Sequence, residues 1–237
     1  MIANSSGTIS VDALVFDAYG TLFDVESVGT LAERLFPEHG AALSKLWRAK
    51  QLEYTWLQSL MLSPVQRRED FAALTAHALD YAVEALGLRQ NAVARHRLLD
   101  AYLDLSPFPD AAPALARLAP LPRVILSNGT REMLEPLAAS TGIAAQLDAI
   151  LSVDAAGIYK PSPRVYQLAA DHLKLLPVRI GFVSSNGWDV VGAKAFGFTA
   201  IWVNRSGAPK ERHGPKADAV IASLEELPAL VGKTSSS

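Results

Sequence analysis

The chain has 237 residues, half of them apolar, enough to bury a sizeable core in one domain or in a core with a modest insert. Its 22 basic and 24 acidic side chains leave a formal charge of −2 with no basic block, so neither nucleic acid nor an anionic membrane is the expected partner. The absence of cysteine rules out disulfides, thiolate metal sites and a cysteine nucleophile. The start MIANSSGTIS lacks the pattern of a signal peptide, and no apolar stretch nears the roughly 18 residues of a membrane helix, so a cytoplasmic protein is expected.

The first apolar run, 11–16, is continuous rather than alternating, as in a strand covered on both faces. Residues 25–105 then change rhythm. Val28, Leu31 and Leu35, then Leu43, Leu46, Trp47, Tyr54 and Leu57, then Phe71, Leu74, Ala78 and Tyr81 follow helical spacing. The proline cluster Ser106-Pro-Phe-Pro-Asp110 closes this stretch. Further apolar runs at 122–127, 147–153, 179–184 and 199–203, with a weaker one at 218–222, alternate with helical patterns at 130–140, 162–175, 188–196 and 223–231. That alternation predicts an α/β fold with a doubly wound parallel sheet. The predicted division is an α/β core domain of 1–24 and 106–237, with a helical cap domain of 25–105 inserted after the first strand. A cap placed there would sit at the strand mouths and could exclude water. The tail from Gly232 to Ser237 reads as a frayed end.

Ligands of such sheets bind beyond the carboxyl ends of the strands, near the point where strand order reverses. Four segments deliver polar groups there: Asp17; Ser127-Asn128-Gly129-Thr130; Lys160 before Pro161; and Ser184-Ser185-Asn186-Gly187-Trp188-Asp189. Alone, each has an ordinary explanation. An aspartate after a strand makes a turn, Ser-Asn-Gly-Thr starts a helix, and Asp189 suits the positive end of a helix. Together they gather a carboxylate, an ammonium, amides and hydroxyls at one place, as an enzyme site requires.

In this order the segments resemble those of the haloacid dehalogenase superfamily, and within it the L-2-haloacid dehalogenases. Asp17-Ala18-Tyr19-Gly20-Thr21-Leu22-Phe23 is similar to the nucleophile motif and Ser127-Asn128-Gly129 to the second motif. Lys160-Pro161 with Tyr166 is similar to the third, and Ser184 through Asp189 to the fourth. The segment Trp47-Arg48-Ala-Lys-Gln-Leu-Glu-Tyr-Thr-Trp-Leu57 resembles the dehalogenase cap with its substrate-facing arginine. The resemblance implies a haloacid dehalogenase-like core. Phosphatases of that superfamily use a second aspartate to protonate the leaving alkoxide, and acids of the fourth motif to hold magnesium. Here Tyr19 and the Ser184-Ser185 pair stand at those places. Halide leaves without a proton, so a dehalogenase needs neither device, and no metal or cofactor is expected.

The roles implied by the resemblance are specific. Asp17 attacks the α-carbon of an (S)-2-haloalkanoic acid, inverts it, expels halide and becomes an alkyl ester. Asp189, helped by Asn186, activates the water that hydrolyses the ester and releases an (R)-2-hydroxyalkanoic acid. Arg48 and Asn128 cradle the halide. Ser127 and the amides around Ala18 and Tyr19 bind the substrate carboxylate. Thr21 and Ser184 orient Asp17, while Lys160 keeps it ionised. Tyr166 positions Lys160 beside the substrate, and Tyr19 and Trp188 line the apolar side of the pocket. Ala49, where relatives carry a bulkier polar residue, bears on pocket size. The aromatic helix near Tyr54 and Trp56 offers a face for a homodimer. Two rival readings are a magnesium-dependent phosphatase, which needs a general acid absent from position 19, and a non-catalytic binding module, which predicts a missing nucleophile or lysine.

Overall fold

Continuous apolar runs do become strands buried on both faces. The computed structural model describes residues 8–233 apart from 64, 66 and 90. A short strand β1 (Ile9–Val11) precedes β2 (Ala13–Phe16), in which all four side chains are inaccessible to solvent. Successive strand residues point to opposite faces, so burial of all four means that both faces are covered. Burying each of the larger three contributes about 1.5–3 kcal/mol.

Four helices come next: α1 (Glu26–Leu35), α2 (Gly40–Leu60), α3 (Phe71–Ala85) and α4 (Ala92–Ala101). Asp70 caps α3 by accepting from Ala73 N, and Asn91 caps α4 by accepting from Val93 N and Ala94 N. The chain returns beside its point of departure. Asp24 N donates to Ser106 O at 2.8 Å, and Phe108 N to Leu22 O at 2.9 Å.

The remainder alternates as the pattern predicts: α5 (Ala111–Arg117), β3 (Arg123–Ser127), α6 (Arg131–Ser140), β4 (Ala149–Ser152), α7 (Pro163–Leu173), β5 (Ile180–Ser184), α8 (Gly187–Phe196), β6 (Thr199–Val203), β7 (Ala219–Ile221), α9 (Leu227–Leu230) and β8 (Val231–Lys233). The main sheet is parallel throughout, in the order β4-β3-β2-β5-β6-β7. Strand β2 lies between β3 and β5, so the order reverses there and opens a crevice at its carboxyl end.

The differences from the sequence reading lie at the edges. The run 11–16 splits at Asp12, because Val11 belongs to a two-stranded sheet in which β1 pairs with β8. The predicted helix at 223–231 is a one-turn 3-10 helix, Leu224–Glu226, followed by α9 and β8. Pro228 sits in the first turn of α9, where its missing N–H does no harm, and Val231 continues as strand rather than helix. Of the tail, Gly232 and Lys233 are in β8, and Thr234 to Ser237 lie outside the described residues. Helix α5 lies outside the predicted pattern, since its seven residues come after a proline cluster and contain Pro113. Leu57 and Tyr81, which follow the apolar helical spacing, are exposed. Tyr81 instead flanks Lys50, whose ammonium lies 4.3 Å from its ring centre and 5.0 Å from that of Tyr54.

Candidate active site

Strand β2 delivers Asp17 to the crevice and the chain then turns sharply. The Ala18 carbonyl accepts from the amides of Thr21, Leu22 and Phe23, and Gly20 adopts a φ of +84°, which suits glycine. The turn brings Thr21 back over the carboxylate, and its Oγ1 donates to Asp17 Oδ2 at 3.2 Å. Asn186 Nδ2 donates to the same oxygen at 2.8 Å and to Tyr19 O at 3.2 Å; Ser184 Oγ lies at 3.5 Å, the outer limit of a hydrogen bond. The other oxygen, Oδ1, takes Lys160 Nζ at 3.1 Å.

Asn186 shows how the site overrides a local preference. It is the N-cap residue of α8, and asparagine there normally accepts from the first turn. Its side chain makes no such bond and is turned onto Asp17 instead. Thr130, by contrast, caps α6 in the ordinary way by accepting from Met133 N. Between them the second segment serves the site: the Asn128 side-chain oxygen accepts from Lys160 N at 3.1 Å, which leaves its NH2 as a donor.

Behind Asp17 lies a buried ionic cluster. Lys160 Nζ also meets Asp189 Oδ2 at 2.8 Å, and Tyr166 OH donates to Asp189 Oδ1 at 2.7 Å. Lys160, Asp189 and Tyr166 are closed to solvent. Burial by itself would pull the Lys160 ammonium down, but the carboxylates of Asp17 and Asp189 outweigh it and hold its pKa above the ordinary value. Burial pushes Asp189 up to about 6; Lys160 opposes that rise, and the charge of Asp17 adds to it. Two carboxylates thus share one ammonium. Tyr166 corrects the sequence reading, because it lies behind Asp189, away from the cavity, and holds Asp189 rather than Lys160 or substrate.

In front of Asp17 is a small, tight cavity. The strand-end segments contribute Asp17, Tyr19, Ser127, Asn128, Asn186 and Trp188, and the inserted helices contribute Arg48, Leu52 and Phe71. It adjoins a wider cleft that Tyr19, Arg48 and Asn186 also line, together with Glu26, Phe108 and Arg205. Tyr19 packs 5.7 Å from Phe71 and 6.2 Å from Tyr102, ring centre to ring centre. It can lie there because position 129 is glycine: a Cβ would come within 2.8 Å of the Tyr19 ring. Burial, aided by Tyr102 and Asp17 and opposed by Arg48, raises the Tyr19 phenol well above the ordinary range, so it remains protonated and neutral. Trp188 stacks edge-on with Trp56 at 5.6 Å, ring centre to ring centre. Ala49 is exposed and lines nothing in the cavity, so it does not set pocket size; Leu52, one turn beyond Arg48, does.

The magnesium site of the superfamily's phosphatases does not fit these residues. Ser184-Ser185 stands where a Gly-Asp pair would be expected, so Ser185 replaces a metal-holding acid. Among the described residues, no three His, Cys, Asp or Glu side chains gather as a metal cluster.

An aspartate on the central strand of a parallel sheet, with a lysine partner and a cavity roofed by inserted helices, defines a hydrolase site of the haloacid dehalogenase type. The family model for haloacid dehalogenase-like hydrolases matches residues 11–197, and the chain belongs to that family. It is 48% identical to an (S)-2-haloacid dehalogenase of Xanthobacter autotrophicus over 195 residues, covering 82% of this chain and 76% of that one. Among solved structures, the L-2-haloacid dehalogenase RSc1362 superposes with a TM-score of 0.90 at 44% identity, covering 94% of this chain and 99% of its own. The L-2-haloacid dehalogenase of Xanthobacter autotrophicus with chloropropionic acid covalently bound gives 0.84 at 41%, covering 93% and 98%.

Proposed function

We propose that this chain hydrolyses short (S)-2-haloalkanoic acids to (R)-2-hydroxyalkanoic acids through an ester on Asp17. The observation that carries the reading is the surroundings of Asp17: an ammonium on one oxygen, hydrogen bonds on the other, and a neutral tyrosine where a phosphatase would place its general acid. The kinship with (S)-2-haloacid dehalogenases at 40–48% identity supports it.

The substrate lies in the cavity with its α-carbon against Asp17 and its halogen toward Arg48 and Asn128. Ser127 and the amides of Ala18 and Tyr19 take its carboxylate, and Tyr19, Leu52, Phe71 and Trp188 surround the alkyl group. An Asp17 oxygen forms a bond to the α-carbon as the carbon–halogen bond breaks, and the electron pair leaves with halide. This step moves a negative charge out of a buried cluster, where Asp17 and Asp189 compete for one lysine, onto an ion that faces Arg48. Relief of that like-charge pair favours ester formation. Water then attacks the Asp17 carbonyl carbon, with Asp189 taking its proton and Asn186 aligning the ester. Asp189, with a pKa raised to about 6 in the free enzyme and freed from the Asp17 charge in the ester, is ionised and able to accept a proton near neutral pH.

The reading keeps 1–24 and 106–237 as a core and 25–105 as a cap that closes the cavity. It also carries a cytoplasmic location and a homodimer, the latter supported by the exposed Leu57, Leu60, Met61 and Tyr81 on α2, its C-cap and α3. Sedimentation at a mass above one chain, reduced by Leu60→Glu, tests that assembly. No helix among the described residues is long and apolar enough to cross a membrane.

Halide release from (S)- and (R)-2-chloropropionate, with EDTA present, tests the function. Release from the (S) enantiomer alone, with (R)-lactate formed, is expected. No release from either, together with magnesium-dependent hydrolysis of a phosphate ester, would overturn the reading in favour of a phosphatase.

A further inference from the structure

Gln51 lies on α2 three residues beyond Arg48 and is fully buried. Its Oε1 accepts from Arg48 Nη1 at 2.6 Å, and its Nε2 donates to Thr75 Oγ1 at 2.6 Å. The Thr75 hydroxyl has one proton, which it gives to the Phe71 carbonyl at 2.6 Å. Toward Gln51 it can therefore only accept. The amide NH2 must face Thr75, and the amide oxygen must face Arg48. A side chain committed in this way resists the flip that would present an NH2 to the guanidinium.

Joining α2 to α3 does not require this relay. Trp47 Nε1 already donates to Thr75 O at 2.8 Å, and Trp47 is buried. Burying an amide and a hydroxyl where apolar groups would fit carries a desolvation cost, so the relay calls for another purpose. Arg48 supplies one. Its guanidinium is a planar fork, and anchoring Nη1 sets the plane in which its remaining N–H groups face the cavity.

Resting on the dehalogenase reading, we propose that Gln51 is a positioning residue that, oriented by Thr75, aims the Arg48 guanidinium at the departing halogen. Arg48 then contributes most where the leaving group needs most help. Chloride leaves less readily than bromide, so a loosened Arg48 penalises the chloro substrate more.

The test is the single-turnover rate of Asp17 ester formation with (S)-2-chloropropionate and (S)-2-bromopropionate. Gln51→Met, which keeps length but not the acceptor, is expected to slow the chloro reaction about 10–100-fold, and the bromo reaction several-fold less. Gln51→Glu retains an oxygen toward Arg48 and is expected to keep the wild-type chloro/bromo ratio. Thr75→Val, nearly isosteric, is expected to shift the ratio in the same direction as Gln51→Met by a smaller amount. In an Arg48→Ala background, Gln51→Met should no longer change the ratio. An unchanged ratio in both Gln51→Met and Thr75→Val, or a change that persists without Arg48, would overturn the proposal while leaving the dehalogenase reading intact. Failure of the wild type to form an ester with either substrate would overturn both.

Discussion

On the core wall of the cavity, Asp17 meets Lys160, Thr21, Asn186 and Ser184, and Lys160 is itself fixed by Asp189, which Tyr166 holds. On the wall formed by the inserted helices, Arg48 is held through Gln51, and the rest is the apolar surface of Leu52 and Phe71. The first wall is over-determined around one reacting atom. The second is a single charge in an apolar frame. Bond making and ester hydrolysis therefore belong to the strand ends, whereas leaving-group help and selection of the alkyl chain belong to the inserted helices. Substitutions in the two regions should differ in kind as well as in size.

The largest effect is expected from Asp17→Asn, which removes the nucleophile while keeping its shape and should lower turnover on the order of 10⁴-fold or more, measured as halide release. Full activity in that variant would dissolve the division at its centre. Next comes Lys160→Met, which leaves two buried carboxylates without their shared cation. A loss of about 3–5 kcal/mol in denaturant unfolding is expected, with turnover lost as well. Asp189→Asn should separate the two steps: the ester forms and persists, visible as added mass on the Asp17 peptide. Rapid hydrolysis in that variant would remove Asp189 as the base.

Smaller effects on turnover are expected on the other wall. Phe71→Ala should destabilise the fold by about 3–5 kcal/mol, while Leu52→Ala should cost less and extend the range of alkyl chains accepted. Comparison of 2-chloropropionate with longer 2-chloroalkanoates reads this directly. The pH profile sharpens the contrast. Esterification removes the Asp17 charge that helps to hold Asp189 near 6 in the free enzyme, so Asp189 should take up a proton, and ester should accumulate, only at a pH below 6. The linked stability has a definite sign. Because the native pKa is raised, the contribution of Asp189 to stability is fully present below the unfolded carboxylate range and is lost as pH rises through about 6.

The core wall was legible in the sequence because Asp17, Ser127, Asn128, Ser184 and Asn186 come at or just after the ends of apolar strands, with Lys160 in the loop that follows another, and parallel strands bring their carboxyl ends to one edge. The helical wall was less so. Arg48 was found by resemblance, but Gln51, Leu52 and Phe71 look like ordinary positions of amphipathic helices, since periodicity gives the buried face without saying what it is buried against. Tyr166 shows the same limit: resemblance gave it Lys160 and the substrate as partners, and packing gave it Asp189. The pairing of β1 with β8 escaped because it joins residues more than 200 positions apart in three-residue strands with no pattern of their own.

The central claim is that Asp17, not water, makes the new bond to carbon. A single turnover of (S)-2-chloropropionate in ¹⁸O-water, with enzyme in excess, tests it most directly. The account predicts label in the Asp17 carboxylate and lactate whose new oxygen is unlabelled. Fully labelled lactate with unlabelled Asp17 would contradict it.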